Sequence, residues 1–327
     1  MVKCRETSPL FINYIIMEQP IVKVEHLSHR YSVQWAIQDI NFEIYEKGIL
    51  GLLGSNGAGK STTMNIMCGV LNQTKGEVYI NGINFREDPI AAKMNIGFLP
   101  QKPPLYTDLT VDEYLAYCAE LRSVEPKKIK SAVLSAMDKC GISHFSKRLL
   151  KNLSGGYQQR VGIAQAIIHN PKFVVLDEPT NGLDPNQILE IRDLIKEIAY
   201  DRSVLLSTHI LSEVQATCDH IKMIEQGHLV FSGTMDEFNN YIQPQSLLIT
   251  LKNPPSIEEL QQIQGVVRVD SVTAKNFRVW FEPEEDINNR IVNTSVARGW
   301  MLSEITVERS SLDEIFARLS GKSKLEA

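Results

Sequence analysis

The chain has 327 residues, 43% of them hydrophobic and 22% charged, with a formal net charge of −5 and a sequence pI of about 5.9. This length and apolar content suffice for a sizeable core divided between two domains. The negative balance excludes a surface built to neutralise nucleic-acid phosphates, and no apolar run approaches the ~20 residues needed to cross a bilayer. The five cysteines, Cys4, Cys68, Cys118, Cys140 and Cys218, form no C-x-x-C pair or zinc-type cluster and read as reduced thiols.

At the N-terminus, Lys3 and Arg5 followed by LFINYII loosely imitate a signal peptide. The apolar run is short, contains an Asn and leads to no small-residue cleavage site. Strand-like alternation begins in MEQPIVKVEHLSHRY, so the expected native start is Met17, with residues 1–16 a disordered or spurious extension. IVKVEHLSHRYS and WAIQDINFEIY then read as strands, the apolar run GILGLL precedes GSNGAGKS, and EVYINGINF holds an N-G hairpin turn. From Thr110 to about Lys151 the pattern is helical. TVDEYLAYCAELR follows a threonine N-cap, and KIKSAVLSAMDKCGI stops at Gly141. KFVVLDE and SVLLSTH are continuously apolar in the manner of buried parallel strands, separated by the amphipathic QILEIRDLIKEIAY. Buried strands alternating with helices imply a parallel α/β core.

GSNGAGKS, Gly54 to Ser61, satisfies the P-loop pattern G-x-x-x-x-G-K-[ST] and is followed by the helix-like STTMNIMCGVL. Gly54, Gly57 and Gly59 let the backbone wrap phosphates, Lys60 reaches the β- and γ-phosphates, and the Ser61 hydroxyl ligates Mg²⁺; Asn56 and Thr62 complete the nucleotide-binding set. The bland alternative, a glycine turn with an incidental lysine, does not account for the strand before it and the helix after it. Asp177, at the end of KFVVLDE, takes the Mg²⁺-associated position of the P-loop class, and Glu178 is placed to accept a proton from the attacking water. LSGGYQQR supplies a second anion cradle, because Ser154, Gly155 and Gly156 stand where free N–H groups and the helix dipole point the same way.

These motifs, in the order P-loop, Gln101, LSGGYQQR, VVLDEP, NGLDP and His209, resemble the ATP-binding subunits of ABC transporters over roughly Ile21 to Gly233. The resemblance implies a P-loop NTPase fold with a β-rich N-terminal subdomain and a helical subdomain at about 102–160. It implies ATP and Mg²⁺ as cofactors and a head-to-tail dimer, in which the signature of one subunit caps ATP on the P-loop of another. It assigns Gln101 to Mg²⁺ or water and to communication with the membrane subunit, and His209 to the γ-phosphate. Asp184 falls in the loop that crosses the dimer interface, although it also reads as a helix N-cap before Pro185. Tyr31 corresponds to the adenine-stacking aromatic, with Trp35 nearby as a competitor.

Beyond about Asn240 the order strand, helix, strand, strand, helix, strand is the βαββαβ pattern of a ferredoxin-like unit. A closing helix, SLDEIFARLS, follows it. The expected division is 1–16 extension, 17–240 ATP-binding domain and 241–327 accessory α+β domain. The accessory stretch and the NGLDP wording resemble ATP subunits of ABC-2-type exporters of the drug-export and gliding-motility kind. The resemblance implies an ATP hydrolase, cytoplasmic and peripheral on the inner face of the membrane, working with a separate membrane-spanning permease subunit. A second ATP-binding subunit, expected to be an identical copy, and no nucleic acid complete the expected partners. The alternative is a soluble ABC ATPase of the iron–sulfur assembly type. Coupling to the permease is expected near Tyr106 and Leu109, with Val111 and Tyr114 on the same segment expected in the subdomain core.

Overall fold

The computed structural model describes residues 19–241, 246–282, 286–308, 315 and 318–319. The proposed extension 1–16 and most of the closing SLDEIFARLS segment lie outside the described residues. Three sheets carry the chain. The first is antiparallel, in the order Gln34–Ile44, Val22–Tyr31, Lys75–Ile80, Ile83–Asn84. Its last hairpin turns at Asn81 and Gly82, both at positive φ (50° and 78°), as an N-G two-residue turn requires.

The second sheet has six strands, in the order His228–Thr234, His220–Glu225, Gly48–Leu53, Ser203–Ser207, Phe173–Asp177, Ile96–Leu99. All neighbouring pairs except the first are parallel. Every residue of Phe173–Asp177 and Ser203–Ser207 is buried, which is why both read as unbroken apolar runs rather than alternating ones. Register pairs Leu99 with Leu176, Asp177 with Ser207, and Ser207 with Leu52. The loops that follow these four strands therefore leave the sheet at one level, the carboxyl edge where open α/β sheets bind ligands.

Beside this sheet stand the helices Val111–Leu121, Pro126–Lys139 and Gly155–Ile167. The first is capped as its sequence indicates, with the Thr110 N–H and hydroxyl both donating to the Glu113 carboxylate at 2.9 and 2.6 Å. Val111 and Tyr114 are buried in the core and Tyr106 is exposed, which matches the expected split between core and surface. His169 follows the third helix and bonds the Ile96 carbonyl through Nε2 at 3.0 Å.

The third sheet, in the order Val266–Ser271, Asn276–Phe281, Ser246–Leu251, Leu302–Glu308, is antiparallel throughout. With helices Ile257–Gln261 and Ile287–Ala297 it gives the predicted βαββαβ order. Leu247, Ile249, Phe277, Val279, Ile291 and Trp300 form a core of its own. Another set of strand residues is polar and paired: Arg278 holds Glu308 through two N–H groups at 2.7 and 2.9 Å, and Trp280 donates to Asp270 at 2.8 Å.

Burial, with the charge of Arg122 adding to it, lowers the His169 pKa from 6.5 to about 4, against the bond to Ile96. A depressed pKa means that protons bind the unfolded chain more tightly. The contribution is complete above about 6.5 and is lost as pH falls towards about 4. Urea midpoints across that window should therefore fall more steeply for the wild type than for His169→Gln. Parallel curves would show that His169 is not held neutral by the fold.

Candidate nucleotide and catalytic site

The P-loop Gly54–Gly59 connects the central strand to helix Lys60–Met67. Gly54 is required by close approach, since a Cβ there would lie 2.1 Å from the Ile224 carbonyl oxygen. Gly57 has φ +82° and nothing within 4 Å of a would-be Cβ, so its backbone faces the open side of the loop. Lys60 is buried and folds back on the loop, its Nζ donating to the carbonyls of Gly54 at 2.8 Å and Ser55 at 3.1 Å. Burial lowers its pKa, and the charges of Glu178, Asp177 and Glu225 oppose that shift. Asn56 and Ser61 are exposed at the loop and Thr62 is half-buried.

Glu225 braces the loop from the neighbouring strand. Its carboxylate accepts the Ser55 hydroxyl at 2.6 Å and the Ser55 N–H at 3.1 Å. Sequence reasoning missed this residue, because a glutamate ending an apolar strand carries no sign of a partner 170 positions away. Gly227, in the next turn, receives the Gln38 N–H on its carbonyl and donates to Ala58. The strand beginning at Gln34, and with it the hairpin that ends at Tyr31, is thus tied to the P-loop. Tyr31 is 52% exposed. Trp35 has Arg30 and Lys75 over its ring at 5.7 and 5.8 Å, so Tyr31 is the better candidate to stack on a base.

The strand ends bring the predicted catalytic groups together. Glu178 accepts from Gln101 Nε2 at 2.6 Å, meets His209 Nδ1 at 2.8 Å and accepts from Asn181 Nδ2 at 3.2 Å. Asn181, in the NGLDP run, is a partner that the sequence did not single out. Glu178 has φ 47°, a left-handed backbone that a β-carbon residue adopts at a cost and keeps only when its surroundings fix it. Its N–H bonds the Ser207 carbonyl at 3.0 Å and its carbonyl receives the Asn181 N–H at 3.1 Å. Asp177 is buried, which raises its pKa; the neighbouring Ser207 and Ser61 hydroxyls and the charge of Lys60 oppose the rise.

A divalent ion fits the oxygen donors here. The Ser61 hydroxyl neighbours the Asp177 carboxylate and helps to lower its pKa, both are hard oxygen ligands, and the side-chain amide of Gln101 carries a third such oxygen. Among the described residues no group of three His, Cys, Asp or Glu could hold a metal. An ion at this place would therefore rely on phosphate oxygens, as Mg²⁺ commonly does.

Ser154 caps the helix Gly155–Ile167 without a side-chain cap bond, and a Cβ on Gly155 would meet nothing within 4 Å. The helix start is thus exposed and sterically open. Asp184 caps Pro185–Ala199, its Oδ1 accepting the N–H groups of Asn186 and Gln187 at 3.1 and 3.0 Å. The two helix starts adjoin, since Gln187 lies against Gly156 and Arg160 pairs with Glu190 at 2.7 Å. Among the described hydrogen bonds, none joins Ser154–Gly156 to the P-loop. The structure groups Gln101, Asp177, Glu178 and His209 with Lys60, and holds the signature and Asp184 as a second group.

The ABC transporter family profile matches residues 37–181. The bacitracin transport ATP-binding protein BcrA of Bacillus licheniformis is 31% identical over 313 residues, covering 92% of this chain and 97% of that protein. The chain belongs to the ATP-binding proteins of ABC transporters. The linearmycin resistance ATP-binding protein LnrL of Bacillus subtilis (strain 168) is 25% identical over 92% of this chain and 99% of its own length. Among solved structures, the ATP-binding subunit of an ABC transporter superposes with a TM-score of 0.61 at 28% identity, over 68% of this chain and 92% of that one. A post-hydrolysis dimer of the cassette MJ0796 bound to ADP and Pi does so with a TM-score of 0.59 at 26% identity, over 65% and 98%. The fold is that of the ABC-type P-loop ATPases, and the activity is ATP hydrolysis.

Gly57→Ala tests the cradle of this ABC ATPase. A left-handed alanine costs roughly 1–2 kcal/mol, so the protein should still melt cooperatively. ATP affinity should fall by about tenfold or more, the equivalent of ~1.4 kcal/mol per decade, as the methyl enters the phosphate space. Gly54→Ala, forced against a carbonyl, should lower the melting temperature much further. Calorimetry with ATP titration separates the two, and unchanged affinity in Gly57→Ala would remove Gly57 from the cradle.

Proposed function

We propose that this chain is the motor subunit of an exporter, hydrolysing ATP at an interface between two of its copies and driving a separate membrane-spanning permease. The observation that carries the catalytic part is the Glu178 carboxylate held between Gln101 and His209 at 2.6 and 2.8 Å, beside the P-loop and its buried Lys60. Gly54, Asn56, Gly57, Gly59, Lys60, Ser61 and Thr62 hold the phosphates, and Tyr31 stacks on the adenine. Glu178 takes a proton from water as its oxygen attacks the γ-phosphorus, and the bond from that phosphorus to the β–γ bridging oxygen breaks, releasing ADP. His209 aims the carboxylate and reaches the γ-phosphate, while Gln101 orders the water side. Mg²⁺ on Ser61, Asp177 and Gln101 would neutralise phosphate charge.

Ser154, Gly155, Gly156 and Asp184 serve the nucleotide of the partner copy. Their separation from the P-loop within one chain, and the dimeric MJ0796 cassette, support that reading. A γ-phosphate shared by two cradles stabilises the closed dimer and its loss as phosphate releases it, a switch driven by differential contacts. Export is supported by the full-length alignments with proteins named for bacitracin transport and linearmycin resistance. Those alignments also favour a transporter over an iron–sulfur assembly ATPase. Residues 17–240 form the motor, with the helical subdomain at about 102–160, and residues 241–327 an accessory unit, except that Ile315 and Leu319 of its closing segment pack into the core of the motor.

Among the described residues no helix is long and apolar enough to cross a membrane, so attachment to the inner membrane face would come through the permease. A groove of about 420 Å³ between the sheet and the helical subdomain includes Val70, Ile90, Met94 and Leu121, with Lys93 and Arg122 beside them. Tyr117 lies one turn before Leu121 and packs edge-on to exposed Tyr106 at 5.6 Å. This apolar track is proposed to receive a cytoplasmic helix of the permease.

Glu178→Gln keeps the shape of the site and removes the base. Turnover should fall by ~10²–10⁴-fold, the range of general-base contributions, while ATP binding persists and an ATP-bound dimer accumulates on size-exclusion chromatography. Wild-type turnover would show that Glu178 is not the base. Lys60→Ala should instead weaken ATP binding itself.

Leu121→Asp and Tyr106→Asp should leave basal hydrolysis near wild type but deplete a multi-span protein from affinity pull-downs of detergent-solubilised membranes. Unchanged recovery of that protein with both variants would rule out the apolar track as its docking surface.

A further inference from the structure

Glu213 lies on the short helix Leu211–Thr217, four residues after His209, and is 3% exposed. The mechanism above makes no use of this buried carboxylate. Both of its oxygens are occupied by hydroxyl donors, Thr180 Oγ1 on Oε1 at 2.7 Å and Thr208 Oγ1 on Oε2 at 2.9 Å. The two threonines come from different strand ends. Thr180 is two residues beyond Glu178, and Thr208 immediately precedes His209. Both are themselves buried. Thr208 Oγ1 also accepts the Ile210 N–H at 3.0 Å, so the hydroxyl is held on both sides and its proton is committed to Glu213.

We propose that Glu213 is a positioning residue that sets the Glu178–His209 contact by bracing the two loops that carry them. The inference rests on the assignment of Glu178 as base. Three features support it. A carboxylate offers acceptors only, which suits two hydroxyl donors and makes each bond charge-assisted. Glu178 holds a left-handed backbone at φ 47°, a conformation that needs external support, and Thr180 fixes the chain two residues later. The loops otherwise meet through the backbone bond from Glu178 to Ser207 and the exposed contact of Glu178 with His209, whose ring is 42% exposed. The buried clamp supplies what those bonds do not, a fixed separation of the two loops beneath the surface at which water and phosphate meet. A glutamine here would turn an N–H₂ towards one of the two donors, and an aspartate would fall short of spanning both.

The test uses threonine variants that keep shape and remove or retain the hydroxyl. In the full chain with Mg-ATP, kcat is measured per titrated nucleotide site for Thr180→Val, Thr208→Val, both together, the two Thr→Ser variants, Glu213→Gln and Glu178→Gln. Each Val variant and Glu213→Gln should lose about tenfold or more in kcat, within the ~10²-fold cost of a small misplacement at a reacting centre. Their KM for ATP should stay within about twofold, since uniform binding is untouched. The Ser variants should stay near wild type, and the double Val variant should be little worse than the poorer single one, as expected of residues acting as a unit. Wild-type kcat in the Val variants would overturn the inference. So would equal losses in the Val and Ser variants, or a loss expressed in KM alone. If the Val variants are unimpaired while Glu178→Gln is inactive, only the clamp fails. If Glu178→Gln is itself active, the assignment of the base has failed first.

Discussion

The site depends on the parallel register of four strands. Leu99, Leu176, Leu206 and Gly51 stand level across the sheet. The P-loop, Gln101, Glu178 and His209 then follow from which residues come next in each strand's chain. Parallel pairing gives no hairpins between these strands, so each loop is free to carry chemistry while the connecting helices cover the faces. The same constraint explains why the interiors of these strands, Val174–Leu176 and Val204–Leu206, are apolar, since a polar side chain there would be buried without a partner. Polar residues are confined to the strand ends, Ser203, Ser207 and Asp177, and at Asp177 the Ser207 and Ser61 hydroxyls and the charge of Lys60 offset the cost of burial.

The region around the nucleotide was legible to the extent that its chemistry is contiguous. GSNGAGKS, LSGGYQQR and VVLDEP each place several groups of one function within a few residues, and backbone geometry does the rest. Gln101 and His209 became legible only beside those motifs, because a lone glutamine or histidine has no chemistry of its own. Glu225 and Glu213 were not legible at all. Their roles are set by partners brought near by the sheet, Ser55 in one case and two threonines in the other, and nothing local to them distinguishes a brace from an ordinary helix or strand-end acid. Asn181 stood inside a quoted motif, yet its bond to Glu178 depends on the positive φ of that glutamate, which is invisible in the chain order.

The accessory unit was legible in a different way. Alternation of two along each strand, broken by two amphipathic helices, sufficed for the βαββαβ order, and the observed strand arrangement follows from it because neighbouring strands must pair antiparallel around two crossovers. The sequence was silent on the paired polar set. Arg278 reaches Glu308 across the intervening strand Ser246–Leu251, and Trp280 meets Asp270 diagonally on the neighbouring strand; such contacts are a property of register rather than of spacing along one strand.

Polar residues buried near the reacting groups divide by what they face. Lys60 and Asp177 have shifted pKa values of opposite sense for the same reason: burial disfavours the charged form of each, and each is returned part of the way by the other. Bringing phosphates and a cation to such a place restores the missing counter-charges, so the site is electrostatically arranged for a ligand that carries both. Glu213 and Glu225 differ, since their oxygens are already occupied by donors from the protein. They hold loops, and the loops hold the groups whose charges remain incomplete until nucleotide arrives.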